Sequence, residues 1–321
     1  MTAPLVLRRA RRLGSPVPVD LLLADGRVSA VGQVTSRDVE QVDLDGRWVL
    51  PGLWDQHVHV TQWALARDRL DLADARSAAH AVTLVAERLA HRPPAPGTAL
   101  VGRGFRDALW PDVPSAALLD AVVGDVPVVL VAADLHCAWA STAGLALLGA
   151  NGHPTGVLRE QEWMGVMGAL DQVSDAVADA AVAEALTAAA ARGVVGLVDV
   201  EIADNVAVWR RRPVPAVQVR AGVWEPYLDR VLHDDLATGD RLAPRVTQGP
   251  LKVIVDGSLN TRTAWCRDPY LGTDGHGVLS VPPDHLRVLL SSAARHGLTV
   301  MVHAIGDAAL DVALDAIEAA G

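Results

Sequence analysis

The first fifty residues differ from the rest of the chain in how apolar and polar positions alternate. Short apolar runs are separated there by Asp25-Gly26 and Asp45-Gly46, dipeptides that favour tight turns between antiparallel strands. We therefore predict a small β-sheet unit over residues 1–50. Its apolar runs lie at 21–23, 28–31 and 42–49.

From residue 51 onward, apolar runs typical of buried strands alternate with stretches of helical periodicity. This alternation predicts an α/β architecture with parallel strands, either an open sheet or a barrel. The predicted strands are 52–60, 99–101, 126–132, 194–200, 217–223, 251–255 and 298–302, and the predicted helices are 75–89, 171–191, 284–296 and 308–319.

Composition narrows the class of protein. Half of the residues are hydrophobic and 4% are aromatic, so Ala, Val and Leu form an interior that suits helices packed on parallel strands. The net charge of −10 argues against a nucleic-acid partner, and the arginines within 8–12 are expected to be a solvated edge. The longest apolar run, 126–133, is too short to span a membrane. Two cysteines and the lack of a signal-peptide pattern predict a cytoplasmic chain with free thiols.

Two histidines, His57 and His59, lie two residues apart in the predicted strand 52–60. Side chains alternate faces along a strand, so both imidazoles point to the same side. Two neutral imidazoles on one side can hold a divalent metal ion, although a bare His-x-His is more often a pair of ordinary histidines. His303 follows three apolar residues at the end of another predicted strand, which favours the metal interpretation.

Lys252 is the only lysine in the chain, and it lies inside an apolar run. Burial disfavours an ammonium and lowers its pKa, and a neutral amine can form a Schiff base or add carbon dioxide to become a carbamate. A guanidinium stays protonated and can do neither. The alternatives are a lysine that reaches past an edge strand into water, or one that pairs with Asp256.

Seven motifs in order along the chain resemble the amidohydrolase superfamily, and within it the YtcJ-like branch that includes N-substituted formamide deformylases. They are DGRVSAVG, DGRWVLPGLWDQHVHV, DLHCAWASTAGL, PTGVLRE, GVVGLVDV, LKVIVDGSLNTRTA and VMVHAIGDAA. The resemblance implies a distorted TIM-type (β/α)₈ barrel with a metal site at the C-terminal ends of its strands. It also implies that residues 1–50 are the N-terminal part of a small β-sandwich and that 51–321 are a hydrolase barrel.

By resemblance, His57 and His59 match the metal ligands of the first barrel strand. Lys252 stands where the superfamily has a carbamylated lysine that bridges two metals, and His303 matches the histidine of the fifth strand. Glu160 competes for the role of bridging carboxylate, or else contacts the substrate. The imidazole-rich set favours one or two zinc ions, with manganese or iron as alternatives.

The same motifs imply substrate-side positions and some departures from the family. His136, Trp139 and Arg262 match positions that face the substrate. Ser141 stands where relatives have Asn, and Val198 stands where they have His. These departures weaken any transfer of substrate preference but leave the four candidate ligands in place.

The sequence matches only part of the implied barrel. Its predicted strands correspond to strands one to five, with an insertion at about 63–167. In the family, strand six supplies another histidine and strand eight an aspartate that serves as general base. We expect both to lie beyond Gly321.

The resemblance implies a metal-dependent hydrolase of carbon–nitrogen bonds, amide-type but not peptide, which acts on a small molecule through a metal-activated water. Two alternatives stay open. One is a truncated non-catalytic homologue, or half of a two-chain enzyme, so that a homo-oligomer or a completing chain is a candidate partner. The other is a deaminase or isomerase with one metal on the same fold.

Overall fold

The structure is a computed structural model. It divides the chain into two compact units, 1–53 and 54–321. The described residues are 3–35, 38–67, 69–133, 137–159, 161–171, 173–257, 259 and 262–321. Their strands are β1 Leu5–Arg12, β2 Ser15–Ala24, β3 Arg27–Gly32, β4 Glu40–Asp43, β5 Trp48–Val49, β6 Leu53–Val58, β7 Leu70–Asp71, β8 Leu100–Phe105, β9 Val128–Ala132, β10 Cys137–Ala140, β11 Val157–Arg159, β12 Val194–Asp199, β13 Gln218–Trp224, β14 Arg241–Ala243, β15 Val246–Ile254 and β16 Val300–His303. The α-helices are α1 Val60–Arg67, α2 Ala78–His91, α3 Ala116–Val123, α4 Thr142–Leu147, α5 Gln161–Met164, α6 Asp175–Ala190, α7 Asn205–Arg211, α8 Glu225–His233, α9 Pro283–Arg295 and α10 Asp307–Ala320, and 3-10 turns occur at Asp107–Leu109 and Met167–Asp171.

The N-terminal unit is a sheet in the order β3-β2-β1-β4, with β5 also paired to β1. Its first strand carries the arginine cluster and was not predicted, because charged residues interrupt its apolar pattern. The cluster does not lie at an edge of the sheet, because β1 has β2 on one side and β4 and β5 on the other. The Arg8 guanidinium lies 2.6 Å from the Asp20 carboxylate, and that of Arg9 lies 2.7 Å from Asp43. These arginines therefore make ion pairs within the sheet.

A second sheet, in the order β7-β8-β9-β10-β11, lies within residues 70–159. Strands β7, β8 and β9 are parallel, whereas β9, β10 and β11 are antiparallel. Every residue of β9 is buried, because helices and neighbouring strands cover both faces. These residues therefore have a hydrophobic core of their own.

The main sheet pairs five strands in chain order: β6, β12, β13, β15 and β16. The contacts between β12 and β13, β13 and β15, and β15 and β16 are parallel. The short β14 adds antiparallel to the start of β15. The predicted α/β fold is confirmed. Among the described residues, no pairing between β16 and β6 closes this sheet into a barrel.

Helices α9 and α10 pack on the main sheet through Leu286, Leu290 and Ala309, against Leu251 and Val255. This apolar packing holds the end of β15 and the start of α10 in place. In the part of the chain that the structure describes, no helix has both the length and the apolar character needed to cross a membrane.

Candidate metal centre

The end of β6 presents two imidazoles together. The rings of His57 and His59 lie on the same side of the strand, with centroids 5.6 Å apart. The Asp55 carboxylate accepts the backbone N–H of His57 at 3.0 Å. Burial lowers the pKa of His57, and the positive charges of Lys252, His59 and His303 lower it further. His303 ends β16, which pairs with β15, the strand of Lys252, and there Ile254 is in register with His303.

Lys252 lies in the interior of the main sheet. Its backbone is in register with Trp224 of β13 on one side and Met301 of β16 on the other. The residue is 3% exposed, and burial lowers the pKa of its amine. It has no hydrogen bond or ion pair with any residue that the structure describes. A lysine that reaches past an edge strand into water is therefore excluded.

The alternative partner of Lys252, Asp256, is engaged elsewhere. Its carboxylate is fully buried and accepts the backbone N–H groups of Trp265 at 2.8 Å, Gly306 at 2.7 Å and Ile305 at 2.9 Å. Two of these charge-assisted hydrogen bonds fix the chain directly after β16, and the third holds Trp265, in the connection between β15 and α9, against the same carboxylate. Asp256 therefore sets the turn that follows His303.

Asp199, at the end of β12, fixes the backbone that follows β6 in the same way. Its carboxylate is fully buried and accepts the backbone N–H of Val60 at 3.2 Å and of Glu201 at 3.0 Å, and the indole N–H of Trp209 at 2.7 Å. Burial raises the pKa of Asp199, and these hydrogen bonds oppose the rise. Asp199 thus fixes the residue that directly follows His59.

Replacing Asp199 by alanine is expected to lower the free energy of unfolding by about 3 kcal/mol or more, because two backbone donors and one indole donor would lose their acceptor in the interior. Urea unfolding measures the change. Asp199→Asn keeps one acceptor and is expected to lose less. Equal stability of both variants and the wild type would contradict the structural role given to this carboxylate.

Glu201 belongs to the site although sequence reasoning missed it. Its carboxylate accepts the backbone N–H and the side-chain amide of Gln62, each at 2.9 Å. Its Oε1 also lies 4.0 Å from Nδ1 of His59. That nitrogen is buried and has no hydrogen-bond partner among the described residues. The available signal was the spacing of two acids, Asp199 and Glu201, at the end of a predicted strand.

A divalent metal ion requires several donor atoms that converge on one point. Within the described residues, no three His, Cys, Asp or Glu side chains come together closely enough to hold a metal ion. The set therefore depends on a lysine as well as on histidines. Among the described residues the Lys252 amine has no partner, and an amine together with imidazole ring nitrogens is a donor set that suits such an ion in chemistry.

The family model described as "Amidohydrolase family" matches residues 40–321 of this chain. The chain belongs to the amidohydrolase family. It is 28% identical over 311 residues to "Putative amidohydrolase YtcJ" of Bacillus subtilis (strain 168), covering 88% of this chain and 58% of that protein. It is 31% identical over 142 residues to the N-substituted formamide deformylase of Arthrobacter pascens, covering 41% of this chain and 26% of that protein. The predicted resemblance to the YtcJ-like branch is confirmed.

The fold of this amidohydrolase-family chain has solved counterparts. Two structures, each of an uncharacterized metal-dependent hydrolase, come from Pyrococcus furiosus and Pyrococcus horikoshii OT3. They match at 24% identity with TM-scores of 0.78 and 0.76, covering 99% and 98% of this chain and 70% and 68% of theirs. The chain also matches Protein LONG AFTER FAR-RED 3 of Arabidopsis thaliana at 25% identity over 342 residues, covering 94% of this chain and 58% of that protein. The chain thus spans 58% of the length of YtcJ and of the Arabidopsis protein.

Two positions picked out from the family motifs are explained by packing. Trp139 is fully buried, its indole N–H donates to the Ser115 carbonyl at 2.9 Å, and its ring lies edge-on to Trp110. It has no exposed surface for a substrate, so we correct its role to that of a core residue. Ser141 caps α4 by accepting the backbone N–H of Gly144 at 3.1 Å.

The remaining predicted substrate-side residues stay predictions. Arg262 is exposed and has a left-handed backbone with φ of 55°. His136 and Glu160 lie outside the described residues. The structure therefore gives no position for the competing bridging carboxylate.

Proposed function

We propose that the protein hydrolyses carbon–nitrogen bonds of the amide type, other than peptide bonds, in a small-molecule substrate, with one or two divalent zinc ions as cofactor. The observation that carries this proposal is Lys252: the single amine of the chain is buried, unpaired among the described residues and electrostatically coupled to His57. We also propose that the main sheet supplies the first five strands of a distorted (β/α)₈ barrel, with residues 1–50 as part of a β-sandwich.

In this proposal His57, His59 and His303 would supply imidazole nitrogens to the metal and Lys252 would supply a carbamate, once these side chains have moved closer together than they lie in the structure. Burial keeps a larger share of the amine neutral at a given pH. The neutral amine adds its lone pair to the carbon of carbon dioxide and releases one proton. The product is an anion with two oxygens, whose buried charge would be compensated by a divalent cation.

A bound divalent ion would supply Lewis acidity, which lowers the pKa of water and polarises a scissile carbonyl. The chain's own contribution is orientation. The Asp199 carboxylate accepts a backbone N–H after β6, and the Asp256 carboxylate accepts two backbone N–H groups after β16. These hydrogen bonds fix the chain next to His59 and His303. The backbone at the ends of both strands is therefore held in place, and only the side chains have to move to reach a metal.

Removing metal with a chelator is expected to lower kcat/KM by at least about 10³-fold, because Lewis-acid assistance contributes several kcal/mol and about 1.4 kcal/mol corresponds to tenfold. The assay uses a panel of formamides, N-substituted amides and cyclic ureas, and added zinc should restore the rate. Turnover that is insensitive to the chelator would refute the metal requirement.

Product analysis with the same panel distinguishes the reaction classes. Release of a carboxylic acid together with an amine supports hydrolysis of an amide-type bond. Loss of ammonia alone from a substrate that otherwise keeps its skeleton would instead indicate a deaminase. A product of the same composition as the substrate would indicate an isomerase.

A further inference from the structure

His59 has an unsatisfied nitrogen beside a buried acid. Its Nδ1 is buried and has no hydrogen-bond partner among the described residues. Oε1 of Glu201 lies 4.0 Å away, about 1 Å beyond an ordinary N–H···O hydrogen bond. A buried ring N–H without an acceptor costs free energy comparable to a lost hydrogen bond. The pair is therefore one small side-chain movement from satisfying both groups.

The Glu201 carboxylate is held in place on its other side. The residue is 7% exposed. Its oxygens accept the two N–H donors of Gln62 at 2.9 Å and the backbone N–H of Ile202 at 3.2 Å. An ionised carboxylate offers about four acceptor positions. Oε1 accepts two of these hydrogen bonds and Oε2 one, so Oε2 has room for one more donor and would face His59 after a rotation of the carboxylate.

The backbone of Glu201 is also anchored. Its N–H donates to Asp199, and its carbonyl accepts the Trp224 indole N–H at 2.7 Å and the Asn205 amide at 2.8 Å. The carboxylate therefore keeps its position relative to the end of β6, where His59 lies.

We propose that Glu201 is a positioning residue that accepts the Nδ1–H of His59 and so leaves Nε2 of that ring for the metal. This inference rests on the proposed function. A metal-binding histidine whose second nitrogen donates to a carboxylate has a fixed tautomer, a fixed ring orientation and a more basic ligating nitrogen. A purely structural Glu201, which only caps the first turn of α1 through Gln62, would influence neither the tautomer nor the metal.

The test compares zinc affinity of the purified wild-type protein with that of Glu201→Gln, by competition with a fluorescent chelator. The amide is expected to weaken zinc binding by about 10- to 100-fold. Glu225→Gln is the matched control, since it removes the charge from another Glu–His pair, with His285 at 2.6 Å. The control should bind zinc as the wild type does. Wild-type affinity in Glu201→Gln would overturn the inference.

A second measurement needs no variant. In the zinc-loaded wild type, ¹⁵N NMR of labelled histidine is expected to show His59 protonated at Nδ1 and metal-bound at Nε2. Metal bound at Nδ1 would overturn the inference, and this result decides the matter if Glu201→Gln does not fold. A wild type that binds no zinc overturns the proposed function itself. Zinc that is lost on His57→Ala but kept in Glu201→Gln overturns only the role of Glu201.

Discussion

Replacing Lys252 by methionine is expected to abolish hydrolysis while leaving the fold at least as stable as the wild type. The methionine side chain is apolar, similar in length and unable to form a carbamate. Loss of the ligand removes several kcal/mol of transition-state stabilisation, so kcat/KM should fall by at least about 10³-fold. Removal of a buried amine that has no partner among the described residues should raise the free energy of unfolding by about 1 kcal/mol.

Steady-state assays and urea unfolding on the same preparation measure both effects. The opposite directions of the two changes are the informative feature, because a damaged fold would lower activity and stability together. Lys252→Arg is the companion variant: it keeps the positive charge but stays protonated and cannot add carbon dioxide. Hydrolysis at the wild-type rate by Lys252→Met would show that the amine has no part in the reaction.

Replacing Gly306 by alanine is expected to lower the free energy of unfolding by about 3 kcal/mol. A Cβ there would lie 1.9 Å from the Trp265 carbonyl oxygen and 2.3 Å from its carbon, and these are backbone atoms that a rotamer change does not move. Relief of the clash has to separate Gly306 from Trp265. Both donate backbone N–H groups to Asp256, so the turn after His303 should be displaced as well.

Gly275→Ala is the matched control, because Gly275 lies in the connection between β15 and α9 that also contains Trp265. Its Cβ would have a single neighbour, the Thr273 hydroxyl oxygen at 3.6 Å, so its stability should stay within about 0.5 kcal/mol of the wild type. Urea unfolding of both variants gives the comparison. A Gly306→Ala protein as stable as Gly275→Ala would mean that the approach of Gly306 to Trp265 is not maintained in solution.

The strands of the main sheet could largely be predicted because each contains a recognisable apolar run, and β12 and β15 are buried along most of their length. The predicted run 194–200 is β12, Val194–Asp199, and 217–223 is β13, Gln218–Trp224. β15 begins at Val246, five positions before the predicted 251. Its first half contains Gln248, Gly249 and Pro250, which conceal the strand pattern. The pairing register shifts at Gly249-Pro250, the kind of irregularity at which a strand tolerates proline.

The candidate ligands could be proposed from the sequence because each lies at or near the end of a recognisable apolar strand. The sequence could not show which side chains from distant parts of the chain lie beside these candidate ligands. Glu201 contacts Gln62 and lies near His59 only because β12 is next to β6. Trp139 was misjudged for a related reason, since a tryptophan in a motif shows its burial only when the neighbouring helices and strands are in place.

The measurement that tests the central claim most directly is the zinc and carbamate content of the protein in ¹³C-bicarbonate buffer near neutral pH. Metal analysis counts the zinc, and ¹³C NMR detects a carbamate carbon. We expect the wild type to bind zinc and to show one carbamate signal per chain, and Lys252→Met to show neither. Zinc retained in full by Lys252→Met, or zinc bound by the wild type without a carbamate signal, would contradict the role proposed for Lys252.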